Sequence, residues 1–168
     1  IRDAMRGVEL LLCQDEMQAN ALAQSLDADN SARRAAESGI QEQALAQLNL
    51  DNRALLTSHT DWNPGVIGIV ASRLCEQYHR PVILFSEQDG VLTGSGRSPE
   101  GIDLYQQVSN LSRYFVRFGG HARAVGITIK KENFDDFCRA FNLAMNDYDS
   151  SCFIPAYGFE ESVPLEAL

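Results

Sequence analysis

Residues 53–96 constrain this chain more than any other stretch, because they place three strand-length runs around one helix start. RALLTS, Arg53 to Ser58, reads as a buried strand. After Thr60-Asp61-Trp62 comes Asn63-Pro64-Gly65, where Asn63 fits a helix N-cap and Pro64 the first helical position. The helix runs to about Tyr78 with Val66, Ile69, Val70, Leu74 and Tyr78 inward, and Arg80-Pro81 ends it. Small residues at Gly65, Gly68 and Ala71 let it lie close to a sheet. Val82 to Ser86 is a second apolar strand. Gln88-Asp89-Gly90 is a hairpin signal, so Val91 to Gly96 pairs antiparallel with it. A strand–helix–strand unit continued by a hairpin demands a mixed sheet, and hence an α/β fold.

The flanks extend this unit. Residues 3–12 read as a short helix with Ala4, Val8, Leu11 and Leu12 on one face. A long proline-free helical pattern follows from Asp15 to about Leu48, polar in its middle and with an expected break near Gly39. We read it as a linker helix, and its acids Asp15, Glu16, Glu37 and Glu42 as solvated. Beyond the hairpin, Asp103 caps a helix expected to reach about Phe115. A Gly119-Gly120-His121 turn, a strand from Ala124 to Lys130 and an amphipathic helix from Glu132 to Tyr148 follow. That helix directs Phe134, Phe137, Phe141, Leu143 and Met145 inward. The expected units are a helical connector, 1–50, a mixed-sheet α/β domain flanked by helices, 51–149, and a tail, 150–168, of mixed strand and turn character leading to a further module. A chain that begins with Ile1 reads as a piece of a longer protein.

Charge is distributed unevenly. The formal net charge is -9, which excludes a strong non-specific duplex binder with a broad basic face. Yet no acid occurs from Leu104 to Lys131, an interval holding Arg113, Arg117, His121, Arg123, Lys130 and Lys131. An acidic chain that clears its acids from one region is arranged to hold an anion there. Glycine lets backbone N–H groups approach a phosphate, and successive N–H groups form an anion-binding nest. Gly94-Ser95-Gly96-Arg97-Ser98 supplies a second wall where a strand enters a loop, with a hydroxyl and a guanidinium fork suited to phosphate.

Each of these residues has a plainer reading beside the functional one. His121 is a turn residue or a phosphate ligand. Ser95 and Arg97 are surface-loop chemistry or a phosphate grip. Arg113 and Arg117, four apart on one helix face, are a solvated face or steer nucleic acid toward the turn. Trp62 packs under its helix or stacks on a base. His59 and His79 are read as structural, His79 at a helix C-terminus. Cys13, Cys75, Cys138 and Cys152 form no CxxC pair or zinc spacing, and fit reduced structural thiols in a cytoplasmic protein. No HExxH, P-loop or GxSxG motif occurs, no apolar run is long enough to span a membrane, and no signal peptide is visible. The residues alone describe a phosphate-binding module without an evident catalytic centre.

Three strings in order, WNPGVIGIVASRLCEQYHRPVILF, GSGRSPEGIDLY and RFGGHARAVGITI, resemble the RecJ family of single-stranded-DNA exonucleases, in their DHH-associated domain. AMRGVELLL and the helix carrying NSARR resemble the family's connector between its two core domains. The resemblance implies degradation of single-stranded DNA from the 5′ end with Mn2+ or Mg2+. The metals would be held by aspartates and histidines of a DHH domain N-terminal to this segment and packed against it. It further implies that Ser95 and Arg97 hold the 5′-end phosphate, and that Gly119, Gly120 and His121 contact the phosphate near the scissile bond. Arg123, with Arg113, Arg117 and Trp62, is an accessory candidate. Asn63 stands where the family often has His, and Val125 where it usually has Ala. No Asp-His-His motif occurs here, so the expectation is a grip without cleavage in this segment, and a nuclease if it belongs to a longer parent. Two alternatives stay open: a DHH-type phosphodiesterase for short oligonucleotides or cyclic dinucleotides, and a non-catalytic interaction module.

Overall fold

The computed structural model describes residues 5–155. Helix α1 spans Met5–Leu12 and α2 spans Glu16–Gln47. The α/β unit follows as β1 Leu55–His59, α3 Pro64–Tyr78, β2 Val82–Gln88, β3 Val91–Arg97, α4 Leu104–Asn110, β4 Phe115–His121, β5 Ala124–Lys130 and α5 Phe134–Ala144. The strands form one mixed sheet in the order β1-β2-β3-β5-β4. β1 and β2 are parallel, and every other neighbouring pair is antiparallel.

Local chemistry sets the α3 unit as the sequence predicts. Asn63 Oδ1 accepts from the Gly65 N–H at 2.8 Å, and Pro64 opens α3. Asp89 and Gly90 both take positive φ, 51° and 74°, the two-residue turn that matches strand twist. Central β2 is buried on both faces, which explains its unbroken VILF. Its Val82 and Leu84 pack with Leu55, α3 and the end of α2. Its Ile83 and Phe85 face the opposite way, toward α4, α5, Val125, Ile127 and Ile129.

Several expectations are corrected. The helix capped by Asp103 stops at Asn110, and Ser112–Tyr114 form a 3-10 turn. RYFVRF then enters β4, because aromatic and β-branched residues suit a pleated edge and β5 offers a free ladder beside it. Arg113 and Arg117 therefore do not share a helix face. Gly119-Gly120-His121 is the end of β4, and the turn is Ala122-Arg123, closed by the pair His121–Ala124. α2 runs unbroken through Gly39. The cost of an interior glycine, about 1 kcal/mol, is offset by packing of Ile40 and Ala44 into the α3 core.

Glu37 is fully buried, not solvated. It pairs with Arg33 one turn back on α2 and with Arg73 of α3. Arg73 Nη2 lies 2.8 Å from Glu37 Oε2, an ion-pair contact outside hydrogen-bond geometry. Leu143 points outward, at 70% exposure, because α5 turns Phe137 and Phe141 to the sheet instead, as the 3-10 turn after it does Met145. The expected apolar face of α1 is not buried: Leu11 and Leu12 are 85% and 75% exposed. Of the tail, Ser150–Phe153 is a 3-10 turn. The strand character expected further on, and Ala4, lie outside the described residues.

Candidate nucleic-acid interface

Strand alternation and register bring Ser95, Arg97, Gly119 and His121 to one sheet face, while Gly120, opposite Val125, belongs to the other. Three rows run across β3, β5 and β4: Arg97–Ala124–His121, Ser95–Gly126–Gly119 and Thr93–Thr128–Arg117. The intervening residues Gly96, Val125, Gly94 and Ile127 point to the opposite face, where Val125 and Ile127 join the α4/α5 core. On the first face α3 packs across β2 and β3 and leaves β5 and β4 uncovered beyond it. Its Gly68 abuts Ser95 and Arg97. The floor beyond is bare, since a Cβ at Gly119 or Gly126 would meet nothing within 4 Å.

The first row and its neighbours hold the phosphate candidates. Arg97 Nη1 donates to Ser95 Oγ at 3.0 Å and to its neighbour's carbonyl, Gly96 O, at 2.7 Å. The guanidinium is thereby held beside the hydroxyl, on the edge of the open floor. His121 Nδ1 accepts the Arg123 N–H at 3.3 Å. In the neutral ring that leaves the proton on Nε2, an outward-facing donor of the kind a phosphate oxygen takes. Arg123 is fixed by its own backbone and head group: Ser98 N–H donates to Arg123 O, and Arg123 Nε donates to Ser98 O at 3.1 Å. Gly120 has φ 147°, and a Cβ there would sit 2.2 Å from Ala124 O, so only glycine lets β4 close on β5 at this point.

Several arginines of the described residues lack a carboxylate partner, Arg34, Arg53 and Arg80 elsewhere in the fold included. Among the described residues, carboxylates pair with Arg6, Arg33, Arg73, Arg139, Lys130 and Lys131, and with none of Arg97, Arg113, Arg117 or Arg123. Arg113 lies over the Tyr114 ring at 4.8 Å, and Arg117 Nε donates to Thr128 Oγ1 at 3.1 Å. Cys75, on α3, has its thiol pushed up to about 11 by burial, a shift opposed by Arg123 and Arg97. All four cysteines are free.

Trp62 does not join this face. It is 2% exposed, and its Nε1 donates to Gln43 Oε1 of α2 at 2.7 Å. His59 stacks on it at 5.6 Å and accepts the Asp61 N–H through Nδ1. Both are consumed in joining β1 to the helices, so neither offers a ring for a base. His79 ends α3 as a left-handed C-cap at φ 49°. Sequence reasoning missed Gly126, the floor between Ser95 and Gly119, and Thr128, which orients Arg117. Period-2 alternation in AVGITIK was the available signal, but the partner register was needed to use it.

A family model, the DHHA1 domain, matches residues 50–147. The chain belongs to the DHHA1 domain family. It is 42% identical over 151 residues to the single-stranded-DNA-specific exonuclease RecJ of Dickeya dadantii, covering 83% of this chain and 26% of that protein. It is 35% identical over 161 residues to RecJ of Bacillus subtilis, covering 92% of this chain and 20% of that protein. Among solved structures, RecJ of Thermus thermophilus in complex with Mg2+ superposes with a TM-score of 0.79 at 29% identity, over 87% of this chain and 23% of that one. Exonuclease RecJ bound to manganese gives a TM-score of 0.78 at 28% identity, over 88% of this chain and 37% of that one. The chain thus spans about a quarter of the length of the curated relatives it matches, 26% and 27% for two of them. Among the described residues no group of three or more His, Cys, Asp or Glu is placed to hold a metal ion. No described helix is long and apolar enough to cross a membrane.

Proposed function

We propose that this chain is the substrate-gripping portion of a RecJ-like 5′-to-3′ single-stranded-DNA exonuclease acting in DNA repair and recombination in the cytoplasm. The observation that carries this reading is the meeting of Ser95, Arg97, Gly119 and His121 on one open sheet face whose arginines have no carboxylate partners among the described residues. The strand's terminal phosphate sits at Ser95 and Arg97, where a hydroxyl and a fork of N–H groups converge. The next contact is made by the Gly119-Gly120 backbone and His121 Nε2. Arg123 adds positive potential beside them.

This chain binds and orients. Hydrolysis belongs to a DHH domain, which would hold Mg2+ or Mn2+ and pack against this face. In that division of labour residues 1–50 are the connector, 51–149 the binding domain and 150–168 the lead into a further module. Buried Glu37 helps hold connector and domain together through Arg73.

The test is nuclease activity of the native-length protein on a long 5′-phosphorylated single strand and on a dinucleotide, with and without Arg97→Ala. The reading expects faster turnover of the long strand and a raised KM in the variant. Dinucleotide turnover far above that of the long strand would instead assign a short-oligonucleotide phosphodiesterase. A native polypeptide with neither activity would assign an interaction module.

A further inference from the structure

The third row of the open face ends on an arginine that the terminal-phosphate site does not use. Arg117 is exposed on β4, and its Nε donates to Thr128 Oγ1 on the neighbouring strand. That bond lays the guanidinium over the sheet and leaves its two terminal nitrogens without a protein partner in the described residues. Lys130 projects from the same face further along β5, but it is paired with Glu132 at 3.5 Å. Arg117 is therefore a cation without a carboxylate partner among the described residues at that end, as Arg97 and Arg123 are at the other.

The two ends are separated by an unobstructed floor. Thr128 and Ala124 mark their rows on β5, four residues apart, which corresponds to ~14 Å along the strand. Gly126 and Gly119 form the row between them and raise no side chain. Each nucleotide advances a stacked strand ~3.4 Å along its axis and an extended strand more, so ~14 Å is at most about four nucleotide steps. A mononucleotide or dinucleotide held at Arg97 does not reach Arg117, whereas a longer strand does.

We propose that Arg117, oriented by Thr128, is a second phosphate site for an internal phosphodiester of the same strand whose terminal phosphate lies at Ser95 and Arg97. This rests on the reading of that site given above. The pair sets a minimum length for tight binding and a direction for the strand, from the Arg97–His121 row across Gly126 and Gly119 toward the Thr128–Arg117 row.

The experiment titrates the protein with a 5′-phosphorylated 12-nucleotide single strand and with a 5′-phosphorylated dinucleotide, using wild type, Arg117→Ala, Thr128→Val and Arg97→Ala. Circular dichroism melts of each variant verify the fold. Arg117→Ala is expected to raise the Kd for the 12-mer about fivefold to tenfold and to flatten the salt slope by ~0.7. It should leave the dinucleotide unchanged, and Thr128→Val should give a smaller loss in the same direction. Arg97→Ala should weaken both ligands. An Arg117→Ala variant that binds the 12-mer as wild type does, or that loses both ligands equally, overturns the second site while a surviving Arg97 effect preserves the first. If Arg97→Ala also changes neither ligand, or wild type binds neither, the terminal-phosphate reading fails and takes the second site with it.

Discussion

A Cβ added to Gly68 of α3 would lie 2.8 Å from Ser95 Oγ of β3 and 3.1 Å from Arg97 Nη2. The missing side chain is thus what gives the hydroxyl and the guanidinium room at the helix margin. Both obstructing atoms are the far ends of flexible side chains, so the fold can yield where the site cannot. Gly68→Ala is expected to lower the melting temperature by less than about 4 °C, the equivalent of ~1 kcal/mol at this size. It should weaken binding of a 5′-phosphorylated strand severalfold. A variant that binds normally would show that Ser95 and Arg97 need no such clearance.

Gly119 and Gly120 adjoin in β4 but differ in what they tolerate. Ala at 120 would take φ 147° and meet Ala124 O at 2.2 Å, so Gly120→Ala is expected to cost about 3 kcal/mol or more. Ala at 119 meets nothing within 4 Å, so Gly119→Ala should melt like wild type while raising a methyl group on the phosphate floor. Chemical denaturation compares the stabilities, and strand titration exposes the methyl. Equal stability losses at both positions would contradict the strand placement of the pair.

Glu37 is a buried carboxylate between two arginines, Arg33 on its own helix and Arg73 on α3. Removing Arg73 leaves a charge in the interior with one counter-ion fewer. Arg73→Ala is therefore expected to cost about 2 kcal/mol, and the Glu37→Leu/Arg73→Leu pair less than the sum of the two single changes. A double-mutant cycle by urea unfolding measures this. Additive losses would mean the contact does not couple α2 to α3.

Burial pushes the Cys75 thiol up to about 11 and that of Cys138 up to about 12, from an ordinary value of 9.0. The unfolded thiols ionise first, so the folded state holds more protons above pH 9. Stability that is complete below pH 9 is then lost as pH rises toward 11 to 12. The melting temperature of wild type should fall more steeply over this window than that of a Cys75→Ala/Cys138→Ala variant. Parallel profiles would place both thiols in water.

The part of the fold legible in the sequence is the part fixed by short-range chemistry. Asn63-Pro64 starts a helix and Asp89-Gly90 closes a hairpin wherever they stand between apolar runs. RYFVRF carries no such marker. Its aromatic and charged residues fit a helical face or a pleat equally well, and β5, which decides the matter, lies beyond a turn with no Asn-Gly or Asp-Gly in it. The site shows the same division. Ser95, Arg97, Gly119 and His121 are visible as residue types in short strings. Gly126 and Thr128 matter only through the register that sets them opposite Ser95 and Arg117. Glu37 looked solvated because its helix neighbours are polar, while Arg73, which pairs with it, stands on another helix.

The proposed grip on the strand's terminal phosphate is built by Ser95 and Arg97. Fluorescence anisotropy at low salt tests it directly, comparing a 5′-phosphorylated single strand with its 5′-hydroxyl counterpart, for wild type and Arg97→Ala. Wild type is expected to bind the phosphorylated strand more tightly, and Arg97→Ala to lose that preference with its fold intact. Equal affinity of wild type for the two strands, or a phosphate preference that survives Arg97→Ala, would contradict it.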